Sequence, residues 1–248
     1  MTRKQQKARQ KIMADSSIEW TDATWNPTTG CDLTSPGCDN CYAKKMSTRL
    51  KAMGQPKYQN EFKLTLHPDT LAAPLGWRKP RRVFVNSMSD LFHKGVPLEF
   101  IKQVFDTMRR ADWHTFQILT KRSRRLAQLA GELDWPPNVW MGVSVEDARY
   151  KFRIDDLRTA PAALRFVSFE PLIGDVGKVD LSGIGWAIAG AESGAAAAVR
   201  PMDEAWVRSL KNQCVAQGVK FFYKQNAANG RKRPLPELDG RQWVEVPD

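Results

Sequence analysis

Short apolar or β-branched runs recur along the chain and alternate with stretches of helical period. Residues 82–86, 115–119, 139–143, 164–168, 186–189 and 220–223 read as strands, and one more is expected around residues 23–28. Most are separated by roughly 20 to 30 residues, the length of one βα unit. Between them, Pro97 opens a helix whose inward face is Phe100, Ile101, Val104, Phe105 and Met108. Trp206, Leu210 and Cys214 recur every four residues on a second helix, with Gly218 as its stop. This alternation predicts an α/β fold, a parallel (β/α) barrel or part-barrel of about six to seven strands.

Polar residues follow the strand ends. Asn86-Ser87-Met88-Ser89-Asp90 comes after the second strand, Thr120-Lys121-Arg122 after the third and Ser144-Val145-Glu146-Asp147 after the fourth. Ser168-Phe169-Glu170-Pro171, Gly190-Ala191-Glu192-Ser193-Gly194 and Lys224-Gln225-Asn226 end the last three. A βα barrel gathers all these ends on one face, where substrates bind. Any one of them read alone is also a helix cap.

Composition narrows the class. The 248 residues are 42% hydrophobic and include nine Trp and eleven Phe, which suits one globular domain and excludes a disordered chain. No apolar run reaches the roughly 18 residues of a membrane helix, and the N-terminus has no signal-like apolar stretch, so a cytoplasmic location is expected. The net charge is +11. Arg3, Lys4, Lys7, Arg9 and Lys11 supply five of those charges in a basic arm over residues 1–17, and the remaining chain is still +6. A basic body behind a basic arm points to nucleic acid, with plain solubility as the bland alternative. The clusters 78–82, 121–125 and 231–233 offer the phosphate-binding surface. The domain is expected over 18–228, with a tail over 229–248.

Cys31, Cys38 and Cys41 fall within eleven residues, on a loop rich in turn formers; Cys214 stands apart on its helix face. In a chain of this class the cluster reads as metal or redox chemistry rather than as a disulfide scaffold. Three thiolates are one short of a structural zinc site or a cubane cluster. They leave three readings: an iron–sulfur cluster with an open iron, a zinc ion, or redox thiols. Trp20 and Trp25, just ahead of the loop, are expected as core.

A three-cysteine loop after the first strand of a part-barrel resembles the radical S-adenosylmethionine (radical SAM) enzymes. Their usual spacing is Cys-x3-Cys-x2-Cys, whereas this chain has Cys31-x6-Cys38-x2-Cys41. Ser87-Met88-Ser89-Asp90, Thr120-Lys121 and Val143-Ser144 are similar to motifs of the branch that includes spore photoproduct lyase. Residues 18–226 resemble more narrowly a phage- and prophage-borne family of unknown function with a three-cysteine motif. That likeness is carried by residues 18–27, 37–43, 84–93, 142–147 and 221–225.

The resemblance implies that Cys31, Cys38 and Cys41 hold a [4Fe–4S] cluster whose fourth iron takes S-adenosylmethionine. An electron donor would then drive cleavage to a 5′-deoxyadenosyl radical. It further implies Ser87, Ser89 and Asp90 at the cofactor's methionyl end and Ser144 and Glu146 at its ribose. Tyr42 would pack beside the adenine, and Lys121 would meet a carboxylate or phosphate. Glu170, Glu192 and Lys224 are cleft residues with catalytic potential. The expected function is modification or repair of a nucleic-acid base. A metal-stapled nucleic-acid-binding protein and a radical SAM enzyme for a small molecule or peptide are the alternatives.

Overall fold

The computed structural model describes residues 14–193, 199–228 and 231–248. Its strands are β1 (Ala14–Asp15), β2 (Ala23–Trp25), β3 (Thr28–Thr29), β4 (Thr65–Leu66) and β5 (Arg82–Val85). They continue with β6 (Thr115–Thr120), β7 (Val139–Ser144), β8 (Leu164–Phe169), β9 (Trp186–Gly190) and β10 (Lys220–Ala228). Last come β11 (Arg231–Pro234), β12 (Glu237–Leu238) and β13 (Arg241–Gln242). The main sheet has the order β1-β2-β5-β6-β7-β8-β9-β10-β11. All neighbours from β2 to β10 pair in parallel, and β1 and β11 add antiparallel edges. The edges do not pair with each other, so the sheet is an open half-barrel, as the alternation predicted.

Among the described residues five α-helices connect the strands: α1 (Tyr42–Ala52), α2 (Leu98–Arg110), α3 (Ser123–Leu129), α4 (Phe152–Arg158) and α5 (Glu204–Ala216). The predicted face of α2 is buried, with Glu99 in its first turn and Arg109 and Arg110 in its last, each suited to the helix dipole. In α5 the Asp203 side chain accepts from the Ala205 N–H at 2.8 Å, and Gly218 takes the left-handed φ of +69° beyond its end. Cys214 is fully buried in the outer core, which pushes its thiol up to about 12.

Strand alternation sorts residues to two faces. Val83 and Val85 of β5, Val139, Met141 and Val143 of β7 and Val167 and Phe169 of β8 pack outward with the helices. The inward set, Trp20, Phe84, Trp140, Phe166, Trp186, Ile188 and Phe222, forms a second core inside the curve. Trp186 lies at its centre, 5.6 Å from Phe166, 5.9 Å from Trp140, 6.0 Å from Trp20 and 6.1 Å from Phe222, measured between ring centroids. Each such ring adds roughly 1.5–3 kcal/mol by burial. Gly142 is required here, since a Cβ would lie 2.5 Å from the Phe166 ring.

The C-terminal residues pack against this inner core. Tyr223 N–H donates to Trp243 O at 2.7 Å, Trp186 Nε1 donates to Glu245 O at 2.8 Å, and Val246 touches the inner cluster. On the other edge Ser16 N–H donates to Asp22 O, next to β1. Arg3, Lys4, Lys7, Arg9 and Lys11 of the predicted arm lie outside the described residues. Among the described residues no helix is long and apolar enough to cross a membrane.

Candidate active site

The cysteine loop leaves the C-terminal end of the first parallel strand, where Gly30 fixes its root. Gly30 has φ +82°, and a Cβ there would lie 2.3 Å from Lys63 O. Its N–H donates to Met88 O at 3.0 Å, and Ser89 Oγ donates to Gly30 O at 2.8 Å. A second anchor is Ser35, whose hydroxyl donates to Glu146 Oε1 at 2.6 Å. Glu146 is fully buried and also receives Arg153 Nη1 at 2.8 Å, with Lys121 Nζ 3.7 Å away. Between the anchors Asp32, Leu33 and Thr34 are exposed, with Asp32 2.9 Å from His93 Nε2.

All three cysteines are half-buried. Burial, and then the Asp90 charge, push Cys31 up to about 11, against the opposing pull of Arg122. The Arg122 guanidinium lies 3.3 Å from Cys31 Sγ and 3.2 Å from Asp90 Oδ2. Burial also raises Cys38, but Lys121 and hydrogen bonds from Thr34 and Ser35 outweigh it and hold that thiol below its ordinary value. Among the described residues no group of three His, Cys, Asp or Glu side chains could hold a metal ion. Three thiolates on one loop are soft donors of the kind that both zinc and iron–sulfur clusters take.

Below the loop, a cavity of about 610 Å³ occupies the upper half of the barrel. That lies within the roughly 300–1,000 Å³ of small-molecule sites. Cys41, Tyr42, Ser87, Lys121, Ser144, Glu170, Glu192 and Lys224 all line it, as does Trp20 on its floor. Lys224 Nζ is 3.0 Å from Glu170 Oε1, and Ser168 Oγ donates to Glu170 Oε2 at 3.2 Å. Gly190 makes room for this carboxylate, since its Cβ would lie 2.6 Å from Glu170 Oε1. Glu192 accepts from Asn40 Nδ2 and from the Arg200 N–H, each at 3.0 Å, and pairs with the Arg200 guanidinium. Burial raises Glu192, yet Arg200 and Asn40 hold it below the usual carboxylate range. Tyr42 donates to Ser87 O. Trp20 Nε1 and Ser144 Oγ are buried with no hydrogen-bond partner among the described residues.

Five predicted site residues lie outside this lining: Cys31 and Cys38 of the loop itself, and Ser89, Asp90 and Glu146. Ser89 holds Gly30. Asp90 is saturated by Phe92 N–H, Thr120 Oγ1, Lys121 N–H and Arg122. Glu146 is sealed beneath the loop by Ser35 and Arg153. Ser89, Asp90 and Glu146 position the cysteine loop and its neighbours. Arg122, Arg153, Arg200, Asn40 and Ser35 were not singled out as site residues by sequence. Arg122, in the polar end of the third predicted strand, and Ser35 and Asn40, among the turn formers of the cysteine loop, carried the only sequence signal.

The cluster at 121–125 is not a free phosphate surface. Arg122 binds Cys31 and Asp90, Arg125 donates to the carbonyls of Phe92, His93 and Val96, and Arg124 lies 5.2 Å over the Phe152 ring. Arg82 pairs with Asp22 at 3.5 Å and Lys232 with Glu19 at 2.7 Å. Gly194 lies outside the described residues.

Fold and site together define an α/β half-barrel protein with a three-cysteine loop over a polar cavity. Residues 15–247 match the family described as "Protein of unknown function (DUF5131)", and the chain belongs to that family. Two solved structures are similar: spore photoproduct lyase complexed with dinucleoside spore photoproduct, and a mutant of that lyase with bound AdoMet and the same ligand. Both share 12% identity, at TM-scores of 0.48 and 0.49, and cover 81% of this chain. The match spans 63% of the length of each. No curated protein gives a match.

Proposed function

We propose that this protein is a radical S-adenosylmethionine enzyme that modifies or repairs a nucleic-acid base. The observation that carries the reading is Cys41, which belongs both to the three-cysteine loop and to the wall of the polar cavity. Cys214, the other cysteine, is sealed in the outer core and leaves the set at three. Cys31, Cys38 and Cys41 would hold a [4Fe–4S] cluster with one iron left for S-adenosylmethionine. When bound, the two groups supply one-electron reductive cleavage and hydrogen abstraction, with an external electron donor.

The chain's own residues bind, orient and exclude water. Glu170 and Glu192 offer carboxylates to ammonium or hydroxyl donors, and Lys121 and Lys224 offer cations to carboxylate or phosphate. The unpartnered Trp20 N–H and Ser144 hydroxyl are suited to a bound polar group, because a buried donor without a partner costs about 1–3 kcal/mol. Tyr42 gives the cavity an aromatic wall beside Cys41, and Ser87 lines it nearby. Ser89, Asp90 and Glu146 act as positioning residues for the loop. The aromatic core closes the lower end against water. The basic balance of the chain supports the nucleic-acid substrate.

Anaerobic reconstitution with iron and sulfide, followed by paramagnetic resonance of the reduced protein, tests this. The expected result is a cluster signal that changes on adding S-adenosylmethionine, with 5′-deoxyadenosine accumulating. Tight zinc binding without a cluster, or a cluster indifferent to the cofactor, would sink it.

A further inference from the structure

The cations of this chain are unequally committed. Those at 121–125 are largely consumed by internal bonds, whereas α1 carries cations that are not. Residues 42–63 contain Lys44, Lys45, Arg49, Lys51, Lys57 and Lys63 against one acid, Glu61. Glu61 pairs with Lys51 at 2.7 Å. Lys44, Lys45 and Arg49 are exposed and make no ion pair among the described residues.

Their placement matters more than their number. Tyr42 and Met46 lie one turn apart on α1 and both line the cavity, joined by Tyr58 from the following segment. At 100° per residue, Lys45 and Arg49 flank the Tyr42–Met46 stripe on its solvent side. The mouth is therefore bordered by a row of free cations, then by two tyrosines and a methionine, and then by the cavity. Tyr42 and Met46 remain exposed.

We infer that α1 is the docking surface for a single strand of nucleic acid, its phosphates along Lys45 and Arg49 and one unstacked base entering past Tyr42 and Tyr58. The inference rests on the nucleic-acid reading above and gives it an address. Cations that track a backbone beside aromatic faces are the recurring means of holding unpaired strands. A base inside a duplex could not enter the cavity without leaving the stack.

The test is fluorescence anisotropy of the full chain with a labelled 20-nucleotide single strand, across a series of salt concentrations and with no cofactor present. Lys45→Ala/Arg49→Ala removes two cations from exposed positions, and Lys178→Ala/Lys220→Ala is its charge-matched control away from the mouth. Each released phosphate contact on a single strand changes the slope of log K against log salt by about 0.7. The α1 pair should flatten that slope by about 1.4 and weaken binding about tenfold near 0.1 M salt, while the control leaves both unchanged. Thermal melts check that the variants remain folded.

Equal behaviour of the two double variants would overturn the docking surface and leave the proposed chemistry standing. Failure of the wild-type chain to bind any strand would overturn the nucleic-acid substrate as well. A polyglutamate peptide bound as tightly as the strand would reassign the surface to acidic protein partners and overturn the inference.

Discussion

Along β7 the inward residues are Trp140, Gly142 and Ser144, and along β8 and its end they are Phe166, Ser168 and Glu170. Within four residues, about 13 Å of strand, the inside of the barrel changes from an aromatic core to a charged cavity. The lower half holds rings against rings and has almost no polar group to satisfy. The upper half holds carboxylates and ammonium groups, each met by a partner from another element, such as Glu170 with Lys224 or Glu192 with Arg200. Ser144 and Ser168, register partners on adjacent strands, mark the level where one half gives way to the other. Stability and chemistry are thus separated along each strand rather than assigned to different strands.

The most severe way to break this division is to hollow the lower half. Trp186→Ala should destabilise the fold by about 3–5 kcal/mol, read as a large fall in the urea midpoint. The Glu146 carboxylate joins the two functions, so Arg153→Met should cost about 3 kcal/mol by leaving this buried charge with only the longer Lys121 contact. That variant should also speed alkylation of Cys38, because Ser35 loses a fixed partner. An unchanged alkylation rate would mean that the loop keeps its shape without Arg153 fixing Glu146.

Acid offers a smaller perturbation. His67 and His114 are buried, and burial holds both below the ordinary value of 6.5. Between their folded values and 6.5 the unfolded chain binds protons that the folded chain does not. Stability is therefore complete above about pH 6.5 and should decline as pH falls below it. A melting temperature flat from pH 7 to 5 would contradict this. The smallest stability effect belongs to the upper half: Lys224→Gln should shift stability by about 1 kcal/mol, because Glu170 keeps the Ser168 hydroxyl and faces the cavity. The same change should abolish 5′-deoxyadenosine formation coupled to substrate in the reconstituted protein.

The strands and the two faces were legible because β-structure repeats every two residues, and the apolar runs carry that repeat. The cysteine loop was legible because its residues are neighbours in sequence. Which polar strand-end residues reach the cavity was not. Lys121 enters the cavity, while Asp90 turns to the Lys121 and Phe92 amides and never reaches it. Ser35 and Glu146 are 111 residues apart, and Asn40 and Glu192 are 152 apart, so nothing local signals either contact. The run 121–125 misled for another reason. A guanidinium in solvent and one donating to backbone carbonyls, as Arg125 does, are written with the same letter.

The two anchors of the cysteine loop bear on how such chains diverge. Gly30 is held to Met88 and Ser89, and Ser35 to Glu146, while Asp32, Leu33 and Thr34 bow out into solvent between them. Insertions accumulate most freely in such a stretch, since they displace water rather than packed atoms. The gap between Cys31 and Cys38 can then lengthen over generations while the sulfurs stay in place. Distant kin are better sought by the glycine and the serine–glutamate pair than by counting residues between cysteines.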